Sequence, residues 1–495
     1  MSVPDPSTVA SPPPATRPDP VPRDAAAEID ASCRWPLLLL WIGALKWLAL
    51  GTVLSLLANI KFHSPDFLAD CSWLTYGRVR PAALNALLYG FASPAGIGVL
   101  LWMLSRLGGV RLNYQVPIFT SALVWNFGVL IGVLGILGGD TTGFEWLEMP
   151  GYASPILFVA FLLLTLCALV NFHYRAERSL YVSQWYLLAA VFCFPWIYSA
   201  ANYLLVFDPV RGTLQAAIAA WFGNNLLGLW LTPIGLAAIF YFIPKLTGRP
   251  LYNYWLAVFG FWTLVVFTNW SGLTPLIGGP VPRWMPSTSV VANLLLVVPL
   301  VAVALNWHLT AKGELHKARN DLVLRFVLAG AACYLLAGLL GILLGLREVS
   351  GVTQFTFVPV ARTQLALHGF IGLTLFGCLY HILPRVTGIE WPSARLIRIH
   401  FWASIGGVGL MFLALTIGGV LQGFRMKNPN AEFVPIARSL IPFVGNATIG
   451  WVALLAGQVA LGGNLFGLLR RYCEKSCPVC EWLKCCGKSA AGRNP

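Results

Sequence analysis

PVARTQLALHGFIGLTLFGCLYHILPR, residues 359–385, is the most informative segment of the sequence. It is apolar along most of its length. A helix needs about 20 residues to cross a bilayer, and this segment is longer than that. Near its start it carries Arg362, Gln364 and His368. Charged and polar side chains are costly inside a spanning helix, so each of these three residues is a candidate for a functional site.

The composition of the whole chain is typical of a membrane protein. Of its 495 residues, 57% are hydrophobic and only 11% are charged, whereas soluble domains are about a quarter charged. The net charge of +14 comes largely from cations in loops and near the C-terminus. This distribution indicates membrane topology, so we predict a lipid bilayer and no nucleic acid as the partner. The predicted fold class is an all-α polytopic bundle.

Twelve stretches are long and apolar enough to be transmembrane helices. Cations concentrate in alternate loops, for example at Arg175 and Arg178, whereas the loop 139–151 contains none. The positive-inside rule therefore predicts a multi-pass protein of the cytoplasmic (inner) membrane with both termini in the cytoplasm. The twelve predicted spans are residues 36–60, 81–108, 115–138, 150–173, 183–207, 217–244, 252–277, 287–311, 322–346, 359–384, 396–423 and 436–469.

Two tails flank a predicted membrane domain of residues 31–470. Residues 1–30 are rich in Pro, Ala and Asp and are predicted to form a disordered cytoplasmic tail. Residues 471–495 form a basic tail whose thiolates would suffice for a zinc or iron–sulfur site. Their spacing matches no common motif, so a tail held near anionic lipid by its cations is the favoured interpretation. The tail cysteines are Cys473, Cys477, Cys480, Cys485 and Cys486.

Histidines are too few inside the predicted spans to build a haem or copper centre. The chain has seven histidines, and only His368 lies well inside a span. The others fall in loops or near predicted helix ends. We therefore predict no multi-histidine metal site within the membrane.

Several long motifs resemble the catalytic subunit (subunit I) of cbb3-type cytochrome c oxidases, within the haem–copper oxidase superfamily. Besides the helix quoted above, they are WLTYGRVRPAALNALLYGF (73–91), GDTTGFEWLEMPGY (139–152), WFGNNLLGLWLTPIGLAAIFYFIPKLTGRPLY (221–252) and NWSGLTPLIGGPVPRW (269–284). The resemblance extends over about residues 36–470 and implies a twelve-helix fold. For the family it implies respiratory electron transfer to dioxygen with a low-spin haem b, a high-spin haem and copper.

In that family six histidines hold the metals, and ungapped alignment of the motifs places none of them in this chain. Alanine and proline have no ligand side chain, and an arginine guanidinium has no lone pair to offer a metal. Tyr334 corresponds to the tyrosine that the family cross-links to a copper ligand. The replaced positions are Ala83 and Gln364 for the low-spin haem, Arg362 for the high-spin haem, and Asn224, Thr274 and Pro275 for copper.

Three functions remain open at this stage. The favoured one is a non-catalytic subunit, structural, regulatory or needed for assembly, that acts beside respiratory complexes and binds no haem or copper. The second is an active cytochrome c oxidase subunit I that reduces dioxygen and pumps protons. The third is a transporter of anions or small molecules that uses the vacated cavities. In each case Arg362, Gln364 and His368 form a candidate residual polar site, or His368 is a core histidine.

Overall fold

The computed structural model of the protein describes residues 23–476, and twelve of their helices are long and apolar enough to span a bilayer. This confirms the predicted all-α membrane bundle. The candidate spanning parts of these helices, which serve as their labels below, are α1 Ala25–His63, α2 Tyr76–Gly108, α3 Gln115–Gly138, α4 Ser154–His173, α5 Val182–Phe207, α6 Thr213–Thr247, α7 Tyr254–Leu276, α8 Trp284–Ala311, α9 Leu322–Leu344, α10 Phe357–Thr387, α11 Ala394–Met426 and α12 Phe433–Lys475.

Three of these helices form the centre of the bundle. In the most apolar windows of α2, α6 and α10, 100%, 83% and 89% of the residues are buried, whereas the other nine windows range from 33% to 56%. A helix that is apolar on every side is expected to be surrounded by other helices. The absence of a side chain at Gly235 lets α6 approach α10, because a Cβ atom there would lie 2.5 Å from Phe370.

Each central helix contains a π-helical segment, in which the backbone hydrogen bonds join residues five positions apart instead of four. The segments are Ala86–Ala92 in α2, Leu226–Leu231 in α6 and Leu365–Gly372 in α10. Each begins within three residues of a predicted ligand position, namely Ala83, Asn224 or Gln364. Segments of this kind are frequent at functional sites, so these three regions are where a site is to be sought.

The N-terminal boundary differs from the prediction, because the first helix already begins at Arg23. The predicted tail of residues 1–30 is therefore too long. Asp30, which made this region look hydrophilic, is buried in the fold. Its carboxylate accepts a hydrogen bond from Trp102 Nε1 at 2.8 Å and lies 3.4 Å from Arg106 Nη1.

The C-terminal boundary also differs, because the last helix continues to Ser476 and thus beyond the predicted end of the membrane domain at residue 470. Cys473 lies on this extension and is exposed. Cys477, Cys480, Cys485 and Cys486 lie outside the described residues. The zinc or iron–sulfur site in the tail therefore stays a prediction.

Candidate functional site

The two low-spin haem positions of the family lie against the same cavity. Ala83 of α2 and Gln364 of α10 both line a space of about 380 Å³, which we call the larger cavity. Residues of α1, α11 and α12 complete its wall, among them Leu415 and Trp451. The sequence alignment thus selected two residues that are far apart in the chain and that the fold brings together.

A second space, which we call the smaller cavity, has a volume of about 150 Å³. Its lining includes Asn224 of α6, Tyr334 of α9 and Arg362 of α10. Asn224 aligns with one copper ligand of the family, Tyr334 with the tyrosine that the family cross-links, and Arg362 with the ligand of the high-spin haem. The structure therefore brings together three further residues that the sequence singled out.

One residue separates the two cavities along α10. Thr363 lines both of them, Arg362 lines the smaller cavity and Gln364 lines the larger one. Successive positions of an α-helix are rotated by about 100°, so residues two apart point in widely different directions. This rotation explains why Arg362 and Gln364 serve different cavities.

The other two copper positions do not reach the smaller cavity. Thr274 and Pro275 lie on the 3₁₀ segment Ser271–Leu276 at the end of α7, and neither belongs to the cavity lining. Asn224 Nδ2 donates to Thr268 O at 2.8 Å and to Ser271 Oγ at 3.2 Å. The amide of Asn224 thus fastens α6 to this segment.

Arg362 places a guanidinium group in the smaller cavity. Its Nε donates to Ala337 O at 3.3 Å, and no ion pair to it is formed within residues 23–476. The residue keeps more than a third of its surface open and belongs to the lining of the smaller cavity, so this open surface faces the cavity. The absence of a side chain at Gly341 makes room for it, because a Cβ atom there would lie 2.6 Å from Arg362 Nε.

His368 lies outside both cavity linings. It is buried, and neither ring nitrogen has a hydrogen-bond partner among the described residues. Its ring packs edge-on at 5.1 Å against Trp451, which lines the larger cavity. Arg362, Gln364 and His368 thus lie in three different surroundings in the fold, and their role as one polar site stays a prediction. The π-helical segment that begins at Leu365 changes the direction of the residues after it, which the sequence spacing could not reveal.

The side chains at the six aligned positions do not fit the haem and copper ligation of the family. Ala83 offers a methyl group, Pro275 a ring without donor atoms, and Arg362 a guanidinium without a free lone pair. Gln364 and Thr274 offer neutral oxygens where the family uses imidazole nitrogen. Among the described residues, no three His, Cys, Asp or Glu side chains lie close enough to hold a metal ion.

The loop between α3 and α4 closes the larger cavity at its edge, and sequence reasoning did not identify its role. Trp146, which lines this cavity, accepts a hydrogen bond at its carbonyl oxygen from Tyr89 at 2.7 Å. Asn85 Nδ2 donates to Glu148 Oε2 at 2.8 Å, and Arg80 lies 3.6 Å from Glu145. The available signal was the three acidic residues Asp140, Glu145 and Glu148 in a loop without cations, together with two arginines near the start of α2.

Burial raises the pKa of the Glu148 carboxyl from 4.5 to about 7, although the hydrogen bond from Asn85 acts in the opposite direction. The folded state therefore binds this proton more tightly than the unfolded state. Consequently the free energy of unfolding falls as pH rises from about 4.5 to about 7 and then levels off. We expect Glu148→Gln to stabilise the protein by up to about 3 kcal/mol at pH 8, and by less than about 1 kcal/mol at pH 5.

Thermal unfolding of the purified variant at pH 5 and pH 8 measures this difference. Glu145→Gln is the matched control, because the Glu145 side chain is 62% exposed and its substitution should have a small effect at both pH values. A stability change of Glu148→Gln that is equal at the two pH values would contradict the prediction.

The fold places the protein in a known class of membrane proteins. A haem–copper terminal oxidase, determined by cryo-EM as a dimer, superposes with a TM-score of 0.65 at 16% sequence identity, covering 90% of this chain and 84% of that one. Residues 36–453 match the family described as cytochrome c and quinol oxidase polypeptide I. The chain therefore belongs to this family.

Relatives within the family agree with the resemblance seen in the motifs. The chain is 27% identical over 444 residues to the cytochrome c oxidase subunit 1 homolog of Azorhizobium caulinodans, covering 86% of this chain and 80% of that protein. It is 24% identical over 437 residues to the cbb3-type cytochrome c oxidase subunit CcoN1 of Stutzerimonas stutzeri, covering 84% and 91%. The predicted similarity to cbb3-type subunit I is confirmed, whereas the loss of the metal ligands stays a prediction.

Proposed function

We propose that this chain is a non-catalytic member of its family that binds no haem or copper. It acts as a structural, assembly or regulatory subunit beside respiratory complexes in the cytoplasmic membrane, with both termini in the cytoplasm. The observation that carries the proposal is Arg362, whose guanidinium faces the smaller cavity from the position aligned with a haem ligand. A permanently charged group without a lone pair repels an iron ion instead of binding it.

The larger cavity supports the same proposal. It is still present, but the two aligned positions in its wall carry a methyl group and a neutral amide, Ala83 and Gln364. Gln364 Oε1 is buried and has no hydrogen-bond partner among the described residues. The fold thus forms although the side chains at these two positions cannot provide the two imidazole ligands of a low-spin haem.

A charged residue on the outer surface supports the proposed association with another subunit. Lys46 lies midway along α1 and is exposed on the surface of the bundle, beside the exposed residues Ile42 and Leu50. Its Nζ lies 4.9 Å from the ring centroid of Trp47, and no carboxylate pairs with it within residues 23–476. A lysine in contact with lipid at this depth is unfavourable, so a neighbouring subunit with an acidic or polar group would stabilise it.

The test is the haem content of the purified chain. We expect reduced-minus-oxidised spectra and the pyridine haemochrome assay to show no b-type haem, and metal analysis to show no stoichiometric copper. A purified cbb3-type oxidase, treated identically, is the positive control. Two b-type haems per chain would overturn the proposal and favour an active oxidase. Co-purification with subunits of a respiratory complex that is lost in Lys46→Glu but kept in Ile42→Val would support the proposed role.

A further inference from the structure

We propose that the smaller cavity is a binding site for a small monovalent anion of the size of chloride, nitrate or formate. The inference rests on the proposed function, because a haem bound next to Arg362 would compete for the same space. It differs from that proposal because it names what the cavity holds, whatever complex the chain joins.

The first argument is charge. Arg362 is the only ionisable residue besides Tyr334 in the cavity lining, and no aspartate or glutamate belongs to it. A guanidinium group has five N–H donors, and the described residues provide an acceptor for one of them, Ala337 O. The remaining four donors have no acceptor among the described residues, and the positive charge that they carry lines the smaller cavity. Because an unpaired buried charge is unfavourable, an anion is the group that this site lacks.

The second argument is the set of neighbouring hydroxyl groups. Tyr334 and Thr232 line the same cavity, and neither hydroxyl forms a hydrogen bond with another residue in the described part of the chain. By contrast, the amide N–H groups of Asn293 are used by the backbone carbonyls of Gly341 and Ile342 at 3.1 and 3.2 Å. The free donors of the cavity are therefore those of Arg362 and the hydroxyls, and all of them suit an anion.

The third argument is size and rigidity. A space of about 150 Å³ is well above the about 10–15 Å³ that one water molecule needs on the same measure. It accommodates a halide or a three-atom or four-atom oxyanion with a few waters, and the much larger gluconate serves as the reference anion. Gly341 lets the guanidinium lie flat against α9, and the hydrogen bond to Ala337 fixes its orientation.

The experiment measures thermal unfolding of the full chain in detergent, in sodium gluconate, with chloride, nitrate or formate replacing gluconate at constant ionic strength. We expect the small anions to raise the melting temperature of the wild-type protein by about 2 °C or more at saturation. This shift should vanish in Arg362→Ala and shrink in Gly341→Ala, whose added Cβ atom displaces the guanidinium. Gln364→Ala is the matched control, because this residue lies on the same helix but lines the larger cavity, and it should keep the full shift.

If Arg362→Ala does not fold, Arg362→Lys and Gly341→Ala give the decisive comparison. Arg362→Lys keeps a positive charge with fewer donors, and Gly341→Ala keeps Arg362 but displaces its guanidinium. Both variants should therefore bind the anion more weakly than the wild type. Equal melting temperatures of the wild-type protein in gluconate and in all three small anions would overturn the inference, as would an unchanged shift in Arg362→Ala or Gly341→Ala. A haem spectrum recorded on the same sample separates the two proposals. A haem-free sample without an anion response contradicts only the anion site, whereas a haem-containing sample contradicts the proposed function.

Discussion

Gly330→Leu is expected to abolish most of the folded protein, because this glycine lets α9 touch α10 next to the smaller cavity. A Cβ atom at Gly330 would lie 2.2 Å from Thr374 Oγ1 and 3.1 Å from the backbone atoms Phe370 O and Thr374 N. Thr374 is completely buried, so neither the Thr374 side chain nor a leucine side chain at position 330 can turn away into open space. Overpacking of this kind costs about 3 kcal/mol or more. The measurements are the yield of monodisperse protein after solubilisation and its melting temperature.

A double-mutant cycle identifies the cause of that loss. Gly330→Ala alone should be destabilising, whereas Thr374→Ala alone should be nearly neutral because Thr374 Oγ1 has no hydrogen-bond partner among the described residues. The combined variant should regain part of the stability lost by Gly330→Ala. Gly406→Leu on α11 is the steric control, because nothing lies within 4 Å of a Cβ atom at that position. A full loss in the control, or no recovery in the double variant, would argue against the contact.

Asp30→Ala is expected to destabilise the protein by about 3 kcal/mol, because it removes one partner of a buried ion pair. The side chains of Asp30 and Arg106 are 7% and 12% exposed, and Asp30 also accepts the indole N–H of Trp102. The substitution therefore leaves the Arg106 cation without its carboxylate, although Arg106 Nη1 still donates to Ala26 O at 2.9 Å, and it leaves the indole N–H of Trp102 without its acceptor. Thermal or chemical unfolding of the purified variant at neutral pH measures the effect.

Glu28→Ala provides the matched comparison two residues earlier in the same helix. Glu28 pairs with Arg111, and these side chains are 57% and 63% exposed. Exposed pairs contribute less than about 1 kcal/mol, so this variant should unfold almost like the wild type. Similar losses in the two variants would mean that burial does not distinguish the pairs and that the N-terminal part of α1 is not packed as described.

The twelve helices could be predicted from sequence because the bilayer imposes a minimum length on each apolar stretch. The central role of α2, α6 and α10 was less visible, since many of the outer helices are equally apolar. What distinguishes the central helices is burial on all sides, which depends on packing. The alignment of family motifs nevertheless located residues on all three, including Ala83, Asn224 and Gln364, before their positions in space were known.

Other features could not be read from the chain. Asp30 looked like part of a hydrophilic tail, because its partners Trp102 and Arg106 lie more than 70 residues away in the sequence. Gln364 and His368 are four residues apart, a spacing that places two residues on one face of a regular α-helix, but a π-helical segment begins between them. Glu148 gave no signal as a buried acid, because loops are normally solvated and its partner Asn85 lies on another helix.

The position of Thr363 has a consequence for how the protein responds to occupants. This residue contributes to the walls of both cavities. An occupant that pushes Thr363 away enlarges its own space at the expense of the other. Thermodynamic linkage requires the effect to be reciprocal, with each occupant changing the affinity of the other by the same factor. Two occupants that both displace Thr363 would therefore compete for the same movement of one side chain, and the affinity of each cavity would depend on whether the other is filled.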